Sequence, residues 1–248
     1  MISDHGRDII RRKYDAFSTD RAYEPNFSGL FWPLGVLVDR FIWSFPLHQA
    51  LRGRVRNVSD YLAEITARLV AEQGSARLIS APCGLIKDLI YTKQKLEQAG
   101  VSVSQVHFHG LDLDFNGDVI AEARRRADRA HLEIGLVRDD IFNIHRHYKG
   151  RFDIVNCIGL ISWMELAEVE RLVRYFAEQV ISDRGYLLID NFALHRNSAA
   201  GGDLEINTRY FEPKALKVLF ARAGFELISE KTTSDGINTV YVLRKRAL

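Results

Sequence analysis

The sequence predicts an α/β fold: a doubly wound, mostly parallel sheet with a C-terminal antiparallel hairpin and an N-terminal helical cap. Three observations lead to this prediction. From residue 58 onward, short apolar runs alternate with segments of helical periodicity, the last two apolar runs follow each other almost directly, and an irregular aromatic segment precedes them all. We therefore divide the chain into an aromatic-rich helical N-terminal cap, residues 1–57, and a sheet domain, residues 58–248.

Five short apolar runs, separated by helical stretches, are typical of buried parallel strands. They cover residues 77–81, 106–111, 132–137, 152–158 and 185–190. Because strand and helix alternate five times, we expect βαβ units with right-handed crossovers in a doubly wound sheet.

Helical periodicity supports the segments between these strands. The first helix is expected from Asn57, with Ser59 as its N-cap, and Gly74 should end it. Another apolar face runs over residues 166–180, and a helix over residues 213–223 begins at a proline.

The C-terminus has a different pattern. Two strand-like segments, residues 225–233 and 238–246, are separated by four residues that include an Asp-Gly pair. Strands joined so closely must be antiparallel. A hairpin at this place is unusual for folds that bind nicotinamide cofactors.

Composition excludes several classes of function. With 248 residues, of which 47% are hydrophobic, the chain can bury a large core. A formal net charge of +2 does not provide the one-sided field that nucleic-acid binders use, so we expect no nucleic-acid partner. Neither a signal peptide nor a membrane span is apparent, and two cysteines form no disulfide framework, which together predict a cytoplasmic protein.

Ligands of doubly wound sheets bind beyond the carboxyl ends of the strands. After the first strand, the residues from Ser80 to Asp88 form a tight turn into a helix, where Gly84 lets a ligand approach the backbone. The turn lacks the G-x-G-x-x-G fingerprint of a dinucleotide pyrophosphate. The alternative is that Pro82 and Gly84 only shape the turn.

Acidic residues follow the next two strands. Asp112 is placed to accept hydrogen bonds from both hydroxyls of a ribose, although Asp112 or Asp114 could instead cap the helix that begins near Asn116. After the third strand, Asp140 and the apolar Ile141 could meet the amino group and the face of an adenine. The alternative for Asp140 is a solvated loop acid.

Along the chain, a turn with glycine, an acid after the second strand, an acid after the third strand and a terminal hairpin follow one another. With its features in this order, the segment 58–248 resembles the class I, Rossmann-like S-adenosylmethionine-dependent methyltransferases. The resemblance is carried by the C-terminal hairpin and by the segments SAPCG (80–84), GLDLD (110–114), RDDIF (138–142), FDIVNCIGLISWM (152–164) and GYLLIDNF (185–192). It implies a seven-stranded sheet, bound S-adenosylmethionine and methyl transfer. The first motif departs from the family pattern, because Ser80 stands where an acid is common, and Pro82 and Ile86 replace two glycines.

The resemblance implies a set of cofactor contacts along the strand ends. These are Ala81, Pro82, Cys83, Gly84, Asp88, Asp112, Leu113, Asp140, Ile141 and Cys157. Cys157 fits strand packing better than the role of a nucleophile. More loosely, the segments GLISWM, LLIDNFALHR and NTRYFEPKAL are similar to bacterial O-methyltransferases associated with hydroxy-fatty-acid signals.

The acceptor is expected between the fourth and fifth strands and the N-terminal cap. Candidate acceptor-binding residues are Tyr23, Phe27, Trp32, Trp163 and Asn191. The aromatic side chains of the cap could equally serve core packing or a contact in a homodimer. His195, just past the fifth strand, is the candidate general base for an alcohol, and its alternative is an exposed loop histidine.

Two further features bear on the acceptor site. An anionic acceptor could be attracted by Arg52, Arg54 and Arg56. Arginines at every second position are, however, more typical of a solvated edge of the protein. Asp190-Asn191 is similar to part of the magnesium site of catechol-type O-methyltransferases. The acid expected after the fourth strand is absent there, so we predict no catalytic metal.

These features predict O-methylation of a small apolar, aromatic or acyl molecule by in-line transfer from S-adenosylmethionine. Two alternatives belong to other classes. One is a repurposed, non-catalytic protein of the same fold that acts as a binding module or partner subunit. The other is a nicotinamide-dependent oxidoreductase, which the absent phosphate fingerprint and the hairpin disfavour.

Overall fold

A computed structural model describes residues 15–23, 34–192 and 209–247. Its helices are α1 (Ala16–Arg21), α2 (Leu34–Trp43), α3 (Pro46–Gln73), α4 (Lys87–Gln98), α5 (Asp118–Arg129), α6 (Ile144–His147), α7 (Leu166–Tyr175) and α8 (Pro213–Arg222). Its strands are β1 (Ala76–Ser80), β2 (Val106–Asp112), β3 (Ile134–Arg138), β4 (Phe152–Cys157), β5 (Ile181–Phe192), β6 (Phe225–Thr232) and β7 (Asn238–Lys245).

The seven strands form one sheet in the order β3-β2-β1-β4-β5-β7-β6. Strands β1 to β5 pair in parallel, and β7 runs antiparallel to both β5 and β6. This confirms the predicted fold class, including the C-terminal hairpin. The strand order reverses between β1 and β4, and a crevice for ligands is expected beyond the carboxyl ends of strands at such a point.

Helices cover both faces of the sheet. Because successive side chains of a strand point to opposite faces, Leu78 and Ile79 of β1 enter two separate apolar clusters. The cluster around Leu78 includes residues of α3, α4 and α5, whereas the cluster around Ile79 includes residues of α7 and α8. The apolar face predicted over residues 166–180 is buried, from Val169 to Val180, in the cluster around Ile79.

The helix α3 corrects one prediction. It begins with Pro46 in its first turn and ends at Gly74, which has a left-handed φ of 82°. The expected N-cap, Ser59, therefore lies buried inside a helix of 28 residues, about 42 Å long. The predicted boundary between residues 57 and 58 also falls within α3, and the division into cap and sheet domain stays a prediction.

A glycine lets α3 approach the sheet closely. A Cβ added at Gly53 would lie 2.7 Å from Cγ2 of Thr233, which precedes the turn between β6 and β7. Glycine is unfavourable inside a helix by about 1 kcal/mol relative to alanine, so its position here is explained by packing.

The strand β5 is longer than predicted, starting at Ile181 instead of residue 185. Arg184 has a left-handed φ of 63°, and the register between β4 and β5 shifts between Phe152 and Ile154. The local irregularity interrupts the apolar pattern of the sequence while the backbone pairing continues. In the described part of the chain, none of the helices has the length and apolarity that a bilayer crossing would need.

Candidate functional site

A cavity of about 540 Å³ lies at the carboxyl edge of the sheet. Its floor comes from the loops that follow β1, β2 and β4 and from the end of β5, and its remaining walls come from α1, α3 and Tyr23. Both its volume and its place at the strand reversal are typical of small-molecule sites.

The turn after β1 is fastened to the end of β2. The backbone N–H of Cys83 donates to the Leu111 carbonyl at 2.9 Å, and the N–H of Gly84 donates to Oδ2 of Asp112 at 2.9 Å. Gly84 has a left-handed φ of 47°, a conformation that glycine adopts without strain. The backbone of this turn is thereby exposed to the cavity beside a carboxylate.

The carboxylate of Asp112 is held by backbone groups alone. Its Oδ1 accepts a 3.1 Å hydrogen bond from the N–H of Asp114, and its Oδ2 accepts the bond from Gly84. Burial raises the pKa of Asp112, while these two N–H groups act in the opposite direction. Each oxygen can accept a further hydrogen bond, so the group is oriented to bind two neighbouring hydroxyls.

A second carboxylate stands under the turn. Oδ2 of Asp88, from the first turn of α4, accepts hydrogen bonds from the Ser80 hydroxyl at 3.3 Å and from the side-chain amide of Asn156. Burial raises the pKa of Asp88. Ser80 is thus hydrogen-bonded to an acid that comes from the neighbouring helix α4.

Asp114 has the capping role that was weighed as an alternative. Its Oδ1 accepts from the N–H groups of Gly117 and Val119, and its Oδ2 accepts from the N–H of Ile120 at 3.0 Å. Helix α5 therefore begins on a buried carboxylate that is fully occupied with its own backbone.

The predicted cofactor residues divide into two sets. Those that line the cavity are Pro82, Cys83, Gly84, Asp88 and Asp112. Ala81 and Cys157 do not line it, because both side chains are 0% exposed and pack inside the core, and their contacts with a cofactor stay predictions. Burial also raises the pKa of the Cys157 thiol.

Three predicted residues lie outside the cavity wall. Leu113 is exposed on the loop after β2, and Ile141 is half-buried after β3. Asp140 is exposed, and its Oδ1 accepts from the Phe142 N–H at 2.9 Å at the start of a short 3-10 turn.

The predicted acceptor residues have different outcomes. Tyr23 and Trp163 line the cavity. Asn191 does not, because its side chain is 1% exposed and its amide bonds both the N–H and the carbonyl of Phe211. The amide thus has a structural partner on both of its polar atoms, and its role toward the acceptor stays a prediction. Phe27, Trp32 and His195 lie outside the described residues.

Sequence reasoning weighed Arg54 as a group that could attract an anionic acceptor, but it missed the burial of this side chain in the cavity wall. Arg54 is 8% exposed, contrary to the expected solvated edge, and its Nη2 donates to the Tyr23 hydroxyl at 2.7 Å. Its Nη1 lies 3.4 Å from Oδ2 of Asp190. Burial alone would lower the pKa of Arg54, but Tyr23 and Asp190 more than offset it, so the pKa is raised and the side chain is charged.

A signal for this arginine was present in the sequence. Leu47, Leu51, Arg54 and Val58 follow the spacing of one helix face, and all four are buried. A basic residue on an apolar helix face indicates a buried partner or a ligand. Finding it required recognising that α3 extends back to Pro46.

Asp190 joins the ends of several elements. It is 1% exposed, its Oδ1 accepts from the Gly159 N–H at 2.7 Å, and its Oδ2 accepts from the Asn238 amide at 2.8 Å. Its oxygens are therefore occupied by protein donors. Within residues 15–23, 34–192 and 209–247, no cluster of three or more histidine, cysteine or acidic side chains could hold a metal ion.

Comparison with known proteins adds relatives at the level of structure. No family model matches the chain, and no curated protein matches it in sequence. It is similar to a solved structure described as a possible exported protein from Bordetella parapertussis, with a TM-score of 0.70, 20% identity and coverage of 94% of this chain and 80% of that one. It is also similar to magnesium protoporphyrin IX methyltransferase (ChlM) from Synechocystis PCC 6803 with bound S-adenosylhomocysteine, at a TM-score of 0.62, 15% identity and 96% coverage of both chains.

A third structure is an O-methyltransferase family protein from Burkholderia thailandensis, with a TM-score of 0.59, 14% identity and coverage of 98% of this chain and 71% of that one. At identities of 14–20%, these similarities show the fold alone. The chain has the Rossmann-like, seven-stranded α/β fold that S-adenosylmethionine-dependent methyltransferases also have.

Proposed function

We propose that this protein transfers a methyl group from S-adenosylmethionine to an oxygen of a small apolar, aromatic or acyl acceptor. The observation that carries the proposal is the cavity at the strand reversal, in which the Gly84 backbone and the Asp112 carboxylate stand side by side. The residues present fit the cofactor, because a carboxylate with free acceptor positions suits a ribose and a glycine turn leaves room for a close ligand.

Each part of the cofactor has a candidate residue. Asp112 would bind the ribose hydroxyls, and the turn at Gly84 would lie against the amino-acid portion, where Asp88 offers a negative charge. Asp140 and Ile141 would lie toward the adenine, next to Asp112 along the sheet edge, since the N–H of Asp139 donates to the Asp112 carbonyl at 3.1 Å.

The cofactor, when bound, supplies an activated methyl group. The chain contributes position and exclusion of water, and holding two reactants in line can lower a barrier by about 7–11 kcal/mol in favourable cases. A carboxylate or phenolate oxygen would need no base, whereas an alcohol would need one, for which His195 remains the proposed residue.

The acceptor end of the cavity supports an apolar molecule. It is lined by Leu47, Leu51 and Val55 of α3 together with Phe192 and Trp163. Within this class we keep hydroxy acids as the first acceptors to test. We also propose that the protein works in a reducing cytoplasm, a proposal that its two free, buried cysteines support.

Calorimetry with S-adenosylhomocysteine and, separately, NADH tests the cofactor. We expect binding of the first only, and Asp112→Ala should weaken it about a hundredfold or more, since two hydrogen bonds to a charged group contribute about 1.5–3 kcal/mol each. Glu133→Ala, which removes an exposed acid just before β3, is the matched control. Binding of NADH alone, or an unchanged affinity in Asp112→Ala, would overturn the proposal.

A comparison of adenosine with 2′,3′-dideoxyadenosine separates ribose binding from loop support by Asp112. The unaltered protein should prefer adenosine, and Asp112→Ala should lose this preference because no carboxylate is left to accept from the hydroxyls. If Asp112 only fastened the turn at Gly84, both nucleosides would weaken equally.

Transfer itself is measured with methyl-labelled cofactor and a panel of hydroxy acids, phenols and aromatic acids. Turnover that is unchanged by EDTA is expected, since we propose no catalytic metal. EDTA-sensitive turnover that magnesium restores would contradict this part. Tight cofactor binding without transfer to any acceptor would favour the binding-module alternative.

A further inference from the structure

The guanidinium of Arg54 has unused hydrogen-bond donors inside a buried cavity wall. Of its five N–H groups, Nη1 and Nη2 each use one, toward Asp190 and Tyr23, which leaves three without a partner among the described residues. A charged group at 8% exposure is costly to leave in this state. Arg54 lines the cavity, so a ligand there can reach it.

The surroundings hold this guanidinium in one place. The Tyr23 hydroxyl accepts from it at 2.7 Å, and burial raises the pKa of Tyr23, so this residue is a neutral phenol. On the other side, a Cβ at Gly159 would lie 3.1 Å from Nη1, and Gly159 has a left-handed φ of 78°. Any other residue at this position would press against the guanidinium.

The cavity wall carries charged side chains of both signs. Asp88 of α4 and Asp112 at the end of β2 are the acids that we assign to the proposed cofactor. Arg54 lies on α3, against Asp190 and near the ring of Phe192, at 5.7 Å from its centroid. Because Arg54 belongs to the helix whose apolar side chains we assign to the acceptor, we place it on the acceptor side of the site.

Two more acids of the wall are already engaged. Asp20 forms a 2.6 Å ion pair with Arg126, and Asp15 accepts from the Ser18 N–H at 2.9 Å as the N-cap of α1. Asp190 accepts two hydrogen bonds in addition to its contact with Arg54. Among the described residues, the cavity is lined by two basic side chains, Arg54 and Lys87, and Arg54 is the buried one, next to apolar side chains of α3.

We propose that Arg54 holds the carboxylate of the acceptor, so that the substrate is an apolar or aromatic carboxylic acid. The guanidinium would bind a carboxylate through its unused N–H groups, and Leu47, Leu51 and Phe192 would surround the apolar remainder. This inference rests on the proposed function, because the bound acid is an acceptor only if the protein transfers a methyl group. It assigns Arg54 as a binding residue and leaves open which oxygen receives the methyl group.

The test uses matched pairs of acids and their neutral amides, such as 4-phenylbutyrate with 4-phenylbutyramide, cinnamate with cinnamamide and octanoate with octanamide. Their dissociation constants are measured by calorimetry with and without saturating S-adenosylhomocysteine. At least one acid should bind about tenfold or more tightly than its amide, as expected for a charge-assisted pair in a buried site.

Variants then assign the preference to Arg54. Arg54→Met combined with Asp190→Asn removes both buried charges together and avoids an unpaired Asp190. It should reduce the ratio of acid to amide affinity to about one, while Arg54→Lys keeps part of it because the charge is retained. Arg56→Met, on an exposed position of the same helix, is the control and should leave the ratio unchanged.

Each outcome of these binding measurements either supports or overturns the proposal. An unaltered protein that binds no acid better than its amide, or a double variant that keeps the preference, would overturn the proposal. The same holds if Arg54→Lys and the double variant weaken S-adenosylhomocysteine but not 5′-methylthioadenosine, because Arg54 would then bind the carboxylate of the cofactor. Failure of S-adenosylhomocysteine to bind would overturn the proposed function, and the ratios measured without it would still test the carboxylate site.

Discussion

Asp190, near the end of β5, accepts a 2.7 Å hydrogen bond from the backbone N–H of Gly159, which follows β4. This contact ties together two neighbouring strand ends, and the same carboxylate also meets Arg54 from α3 and Asn238 from β7. One buried side chain therefore joins four parts of the fold at the rim of the candidate site.

Asp190→Ala should lower the free energy of unfolding by about 3–5 kcal/mol, because it leaves the buried Arg54 charge without its partner. Asp190→Asn keeps the shape and part of the hydrogen bonding, so its loss should be smaller. Urea unfolding followed by far-UV circular dichroism measures both. Glu226→Ala, which removes an exposed acid of β6, should change stability little, and equal losses in all three variants would contradict this account.

Asp114→Ala should destabilise the protein by about 2 kcal/mol or more, since three backbone N–H groups at the start of α5 lose a charged acceptor. Thermal unfolding of Asp114→Ala and Asp118→Ala provides the comparison. Asp118 is exposed in the first turn of the same helix, and its loss should cost only the weaker interaction with the helix dipole. Similar melting temperatures for the two variants would exclude the capping role.

Gly53→Ala tests the close approach of α3 to the β6–β7 turn. Alanine is the better helix former by about 1 kcal/mol, but its Cβ would lie 2.7 Å from Cγ2 of Thr233. We expect a net loss of stability in the single variant. Adding Thr233→Ser, which removes this methyl group and keeps the hydroxyl, should restore stability to the original value or above it. Stabilisation by Gly53→Ala alone would show that the helix can move aside.

The pH dependence of stability should include a contribution from Asp139. Hydrogen bonds from Asn143, His147 and the Asp140 N–H lower its pKa to about 2. Because the folded-state pKa lies below the unfolded value, this contribution is present above about pH 4 and is lost as the pH falls toward 2. The stability difference between the unaltered protein and Asp139→Asn, measured by urea unfolding, should be constant near pH 6 and shrink below pH 4. A difference that grows on acidification would contradict the assignment.

Much of the fold was predictable because the central parallel strands β1 and β4 are buried on both faces. The runs that became β1, β2 and β4 stand out in the sequence, and the Pro213 and Gly224 signals bracket α8. The start of α3 was missed because Gly53 and three nearby arginines obscure its apolar face. The reasons for that glycine and for Arg54 are tertiary contacts with Thr233 and Asp190, which are far away in sequence.

The candidate site was predictable for residues whose position along the chain alone places them at the carboxyl ends of the strands. Gly84 and Asp112 follow the first two strands, and parallel strands bring their carboxyl ends together. Asn191 and Cys157 also stand at strand ends, but the structure buries their side chains along with the neighbouring Asp190 and Asn156. The sequence does not indicate that the amide of Asn191 would bind the Phe211 backbone 20 residues later.

The continuity of α3 from Pro46 to Gln73 has a consequence for protein engineering. Its first half forms a wall of the cavity and its second half packs on the sheet. A chimera joined at residue 57 would therefore interrupt one continuous helix. Exchanges of the N-terminal segment between homologous proteins should instead be joined before Pro46. Swaps made there would keep the cavity-lining side chains of α3 native and would exchange only the wall that α1 and Tyr23 contribute.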